Sequence, residues 1–134
     1  MSETILTEFD ISLGSEKSMW HDFHLEISSE LLEKFSDEDW NDLRDQVLSR
    51  PTYWQERCAS AIGYLENKRG VNILKDLIES DQISIAAIAA SELDNMQISL
   101  PEIYRVRLLN LLKSLQEIRD NRLDDVQRII DRLR

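Results

Sequence analysis

Apolar residues follow two rhythms along this chain. In residues 1–27 they alternate with polar ones: Asp10 and Ser12 separate Phe9, Ile11 and Leu13, while His24 and Glu26 separate Phe23, Leu25 and Ile27. A period of two is the mark of a half-buried strand. It predicts two short strands paired as a hairpin across 14–21, or else an irregular arm laid over helices. From residue 28 the period is helical. Ser28 and Ser29 are candidate N-caps for a short helix over 30–35. Ser36 caps a second helix, with Asp39 three positions on, as in a capping box. Trp40, Leu43, Val47 and Leu48 share one face of it, and Arg50-Pro51 ends it because the residue before proline avoids the α region. A third helix opens at Pro51 with Trp54, Cys58, Ala61, Ile62 and Leu65 in one stripe. Shorter helices follow over 70–78 and 83–93; the latter holds Ala86, Ala87, Ala89 and Ala90, which suit close packing on several sides. Pro101 opens the longest helix, through about 119, with Tyr104, Leu108, Leu111, Leu112 and Leu115 facing inward. A last amphipathic helix over 123–133 presents Val126, Ile129, Ile130 and Leu133 on one side.

Part of the pattern repeats. Ala59-Ser60-Ala61-Ile62-Gly63-Tyr64-Leu65-Glu66-Asn67 aligns with residues 87–95, and Leu74-Lys75-Asp76-Leu77-Ile78-Glu79-Ser80 with residues 108–114. A small-residue helix followed by a leucine-rich one thus occurs twice at a period of roughly 30 residues, shorter than a HEAT unit but of the same kind. Small side chains let the second helix come close, and each pair leaves an apolar face for the next pair to cover. The expected fold is mainly α: a short HEAT-like α-solenoid of about three helix pairs, with a small N-terminal β-hairpin as one form of the arm. The chain reads as one domain, divided into an N-terminal arm or hairpin (1–27), HEAT-like helices (28–119) and a C-terminal amphipathic helix (120–134). A plain helical bundle is the alternative.

Composition narrows the function. Three Gly and two Pro are too few for the turns of a sandwich or barrel, or for a glycine-rich phosphate loop. The net charge is −10, unevenly distributed: residues 1–50 hold 13 acids and 4 bases, residues 101–134 hold 6 acids and 8 bases. Such a chain repels nucleic acid and anionic lipid and attracts basic partners. No apolar run approaches the ~18 residues that would span a bilayer. The N-terminus has no basic-then-apolar leader pattern, and the single cysteine, Cys58, forms no internal disulfide; a cytoplasmic protein is expected.

Catalytic signals are weak. His21 and His24 flank Asp22 and could contribute to a zinc site, but no cysteine lies near in sequence, and surface histidines are the expected reading. Cys58 lies in the apolar stripe with Trp54 and Ile62, a setting for a structural thiol rather than a nucleophile. With 26 acids, any two carboxylates could be named an acid–base pair, so pairing carries no specificity. No nucleophile elbow, P-loop or dinucleotide fingerprint is present. The expectation is a protein without catalytic residues, cofactor or metal.

The second helix is more informative. Glu38, Asp39, Asp42 and Asp45 cover the face opposite Trp40, and Glu30 and Glu33 on the preceding helix extend the same sign. Like charges at i,i+4, such as Glu38 and Asp42, cost a few tenths of a kcal/mol. The face either keeps the protein soluble or docks a basic protein, as spaced phosphates would. Tyr53, Arg57, Ser60 and Tyr64 share the flank of the third helix away from Trp54, where they form an interface or pack on a neighbouring helix pair.

Trp40, Leu43, the run Tyr53-Trp54-Gln55-Glu56-Arg57-Cys58-Ala59, Ala61, Gly63, Leu65 and the apolar helix over 83–93 resemble small bacterial immunity proteins with a HEAT-like helical fold. These accompany polymorphic toxins, including those of contact-dependent growth inhibition. The resemblance covers about residues 37–95 and rests mostly on packing residues. It implies a cytoplasmic, non-enzymatic inhibitor that binds a cognate toxin domain, often a nuclease, and blocks its active site or substrate groove. It supplies no contact residues. The toxin-binding candidates Glu30, Glu33, Glu38, Asp39, Asp42, Asp45, Tyr53, Arg57 and Tyr64 come from charge and helical position. A non-catalytic adaptor that binds another protein along the solenoid is the second expectation. Oligomeric state stays open.

Overall fold

The computed structural model describes residues 2–134, with side chains from Ile5 onward. Among these residues the chain forms eight α-helices and no strand: α1 (Ser2–Ser12), α2 (Asp22–Glu33), α3 (Asp37–Val47), α4 (Thr52–Tyr64), α5 (Val71–Ile78), α6 (Ile83–Asn95), α7 (Arg105–Ile118) and α8 (Leu123–Asp131). Short 3₁₀ turns, Lys68–Gly70 and Glu102–Tyr104, lead into α5 and α7.

Helices α1 and α2, α5 and α6, and α7 and α8 pack as consecutive pairs, and α3 and α4 take the intervening places through contacts with the helices before and after them. Helices α2, α4, α6 and α8 pack in succession as one layer; α1, α3 and α5 do so in the other, which α7 extends against α6 and α8. Equivalent positions of neighbouring pairs meet at separations of 32 or 34 residues. Arg44 on α3 bonds Asp76 on α5, Asp37 bonds Arg69, and Arg128 on α8 bonds Asp94 on α6. The result is a solenoid-like stack of four pairs, one more than expected. The two helices aligned by the repeat, α4 and α6, occupy equivalent places, and so do α5 and α7.

The extra pair comes from residues 2–33, where the hairpin is not seen. Alternation would put Phe9, Ile11 and Leu13 on one face, but Phe9 and Leu13 are buried while Ile11 is 72% exposed. That division is the i,i+4 pattern of a helix. Phe23 and Ile27 are exposed as well, and Ser28 and Ser29, expected as caps, lie inside α2 and in the core. Their hydroxyls are satisfied there: Ser28 Oγ meets Ser12 Oγ at 2.7 Å, and Ser29 Oγ donates to Ala61 O. Two polar residues thus hold the positions that a pattern reading assigns to apolar ones. Gly14, at φ +70°, supplies the turn that ends α1.

Beyond residue 35 the elements fall close to expectation. Ser36 caps α3, and Trp40, Leu43 and Val47 are buried, although Leu48 stays exposed. Leu65 is likewise exposed, outside the stripe that buries Trp54, Cys58, Ala61 and Ile62. The four alanines of α6 are fully buried among α4, α5, α7 and α8. An edge-to-face aromatic chain, Trp54 to Phe9 to Phe35 to Trp40, with centroids 5.3–6.0 Å apart, ties the first two pairs together. Helices α4, α6 and α7 close alike. The N–H groups of Asn67, Ile98 and Asp120 reach back to Ile62, Leu93 and Leu115 carbonyls at 3.0 Å, and Glu66, Gln97 and Arg119 hold positive φ.

Candidate protein-binding surface

The arginines of this chain are largely committed to its own fold. Arg57 on α4 donates to the carbonyls of Leu13, Ser15 and Ser18 at 2.6, 2.9 and 3.1 Å, and its guanidinium stacks on Tyr53. Arg69 binds Phe35 O at 2.7 Å, and Arg107 binds the carbonyls of Ile78 and Ser80. Arg44 pairs with Asp76 through two bonds, Arg50 with Asp10, and Arg128 and Arg132 both with Asp94. In most of these contacts an arginine of one pair fastens a carbonyl or carboxylate of the pair beside it. A surplus of unpaired acids remains on the surface.

On α3 that surplus is concentrated. Glu38 and Asp45 are exposed and Asp42 is half-buried. None of the three makes a hydrogen bond or an ion pair with another described residue. The helix presents this row to solvent because Trp40, Leu43 and Val47 are drawn into the core on its opposite side.

The other expected contact residues are placed differently. Asp39 is 4% exposed and closes the capping box: Ser36 N–H donates to Asp39 Oδ2 at 2.8 Å, and Asp39 N–H to Ser36 Oγ at 3.2 Å. Its carboxylate serves the fold and is not part of the exposed acidic row. Glu30 and Glu33 are exposed on α2, which packs in the layer of α4 and α6 rather than in that of α3. Glu33 accepts instead from Asn67 Nδ2 at 3.2 Å. Arg57 is occupied by the segment joining α1 to α2, and the Tyr53 hydroxyl lies 3.4 Å from Gly14 O. Of that flank only Tyr64 is free and exposed.

Further acids join the α3 layer from the turn after α5. Glu79 and Asp81 are exposed there, and the Tyr104 hydroxyl is held above its ordinary pKa by burial first, then by Glu79 and Asp76. In sequence, Glu79-Ser80-Asp81 reads only as a turn. On the other layer Glu92 is pushed up to about 7 by burial and then by Asp125, and its carboxyl fills the space a Cβ on Gly63 would need. Nothing in the small-residue pattern of α6 marks Glu92 out.

Cys58 is fully buried, and burial pushes its thiol pKa up, away from the thiolate. His24 Nδ1 accepts the His21 N–H at 3.1 Å in the first turn of α2. Among the described residues no group of three or more His, Cys, Asp or Glu side chains is placed to hold a metal ion. Among them, too, no helix is long and apolar enough to cross a membrane. Comparison with protein-family models, with curated proteins and with solved structures finds no match to this chain.

Proposed function

We propose that this chain is a non-catalytic binding protein of the cytoplasm, an immunity protein that neutralises a basic toxin domain, in the first instance a nuclease. The mechanism is occlusion: α3 lies in the toxin's cationic groove where substrate phosphates would lie. One observation carries the reading. Glu38, Asp42 and Asp45 form a row on the outer side of α3 that makes no hydrogen bond or ion pair with another described residue, in a chain most of whose arginines are bound elsewhere. Holding like charges at i,i+4 costs a little helix stability, and a cationic partner reverses that cost on docking. Charge of one sign on one face also speeds the encounter.

The test is the triple variant Glu38→Lys, Asp42→Lys, Asp45→Lys, co-expressed with the toxin domain that this reading predicts to be encoded directly upstream of the gene. The helical circular-dichroism spectrum is expected to be unchanged, because all three side chains lack internal partners. Association should slow by about tenfold or more, and protection of growth should be lost. Undiminished protection by a folded variant reduces the α3 row to a solubility face and removes the proposal.

A further inference from the structure

The first and last helix pairs of the stack expose apolar side chains, where a solenoid ordinarily closes with polar caps. Helix α2 opens one layer and packs mainly on α1 and α4; α7 ends the other and packs mainly on α6 and α8. On α2, Phe23 is 58% exposed, and Ile27, one turn on, is exposed beside it. On α7 and the turn that leads into it, Ile103 is 84% and Val106 70% exposed, and Leu109 continues the row at the same spacing.

The charges around these two rows are opposite. Helix α2 holds four acids, Asp22, Glu26, Glu30 and Glu33, and no lysine or arginine. Helix α7 holds Arg105, Arg107 and Lys113 against Glu117 alone. Glu26 and Glu30 stand three positions beyond Phe23 and Ile27, and Lys113 stands four beyond Leu109, so each charge lies beside the apolar row of its own helix. Glu26, Glu30 and Lys113 are exposed and make no hydrogen bond or ion pair with another described residue. The contrast extends beyond these helices. Residues 2–33 hold eight acids and one lysine, whereas residues 101–134 hold six acids and eight bases.

We propose that the exposed face of α7 docks on the exposed face of α2 of a second copy of this chain. The occupant follows from having both faces on one molecule. A basic partner suits α2 and is repelled by α7, and anionic lipid is repelled by α2. A second copy answers both faces with a single contact. Packing α2 on α2, or α7 on α7, brings like charges together and is disfavoured. The contact therefore joins two different patches. Each pair of copies keeps one α2 and one α7 face free, so assembly continues head to tail or closes as a ring. Phe23, Ile27, Val106 and Leu109 supply the apolar centre, and Glu26 and Glu30 meet Lys113 at its rim. The α3 row takes no part in it.

Sedimentation velocity of the purified chain over a concentration series is the test. The mean mass is expected to rise from 15.7 kDa towards two chains and more as the concentration approaches about 1 mM. Two surface variants each remove one face: Glu26→Lys with Glu30→Lys on α2, and Val106→Ser with Leu109→Ser on α7. Each alone should weaken association about tenfold or more while its helical circular-dichroism spectrum is kept. Mixed in equal amounts, the two should form a complex of twice the chain mass and nothing larger, because each brings the face that the other lacks. The triple variant Glu38→Lys, Asp42→Lys, Asp45→Lys should associate as the wild type does, which separates this contact from the toxin reading. A single-chain mass throughout, full association by either variant alone, a mixture that stays monomeric, or loss of association in the α3 variant overturns the proposal.

Discussion

Glu92 carries a carboxyl against the backbone of Gly63 on the neighbouring helix, with Asp125 facing it from α8. Ser91 on the same helix donates to that aspartate at 2.7 Å, and Arg128 holds its other oxygen. Burial and the Asp125 charge both favour the protonated acid, so the folded state binds this proton more tightly than the unfolded chain. Glu92 therefore contributes its full stability below the ordinary carboxyl value of 4.5, and that contribution is lost as pH rises towards about 7. Glu92→Gln should leave stability near wild type at pH 4.5. At pH 8 it should raise stability by on the order of 2 kcal/mol, after discounting for the partial exposure of the group. Urea unfolding at the two pH values measures this, and an equal effect at both contradicts it. No sequence pattern points to Glu92, because its environment is made by a glycine on one neighbouring helix and an aspartate on another. Ser28 and Ser29 teach the same lesson in reverse. Both are strong N-cap residues by type, and both are core residues because Ser12 and Ala61 take their hydroxyls. Asp39, by contrast, is readable as a cap partner from its spacing to Ser36, and the structure keeps it in that role.

Elements are legible here to the extent that their apolar stripe is complete. Helices α3 to α8 have apolar stripes, with a capping serine before α3 and prolines ahead of α4 and α7, and each was expected near its observed bounds. Helices α1 and α2 are not legible in this way. Ile11, Phe23 and Ile27 stand exposed, so the apolar residues visible in sequence are not the set that is buried. Besides the aromatic chain, a side chain from the second pair fastens the first: Arg57 bonds three carbonyls of the joining segment and stacks on Trp20 as well as Tyr53. Hydrogen bonds from a charged donor are worth about 1.5–3 kcal/mol each. Arg57→Ala should therefore loosen the segment locally and leave the rest folded. Trypsin cleavage after Lys17 is expected to speed up about tenfold or more, with helical content nearly kept. Cleavage at the wild-type rate would show that the segment is held by its apolar contacts alone.

Across the whole molecule, charge and stacking are coupled. The sequence carries 26 acids against 16 bases, and the arginines bind between helix pairs, so the excess negative charge lies on the outside. Association with a cationic partner should then depend strongly on salt. The screening length falls from about 10 Å at 0.1 M to about 3 Å at 1 M. Stopped-flow measurement against the partner should find the association rate reduced about tenfold or more over that range, with a smaller change in dissociation. A rate indifferent to salt would separate the acidic surface from the encounter. The helical class, a repeat of roughly 30 residues and the surplus of acid follow from the sequence alone, because periodicity, capping and composition are properties of neighbours along the chain. The number of pairs, and which acids stay free, were decided only by tertiary structure. Burial and ion pairing join residues 32 to 34 positions apart, on helices whose facing sides exist only once they stack.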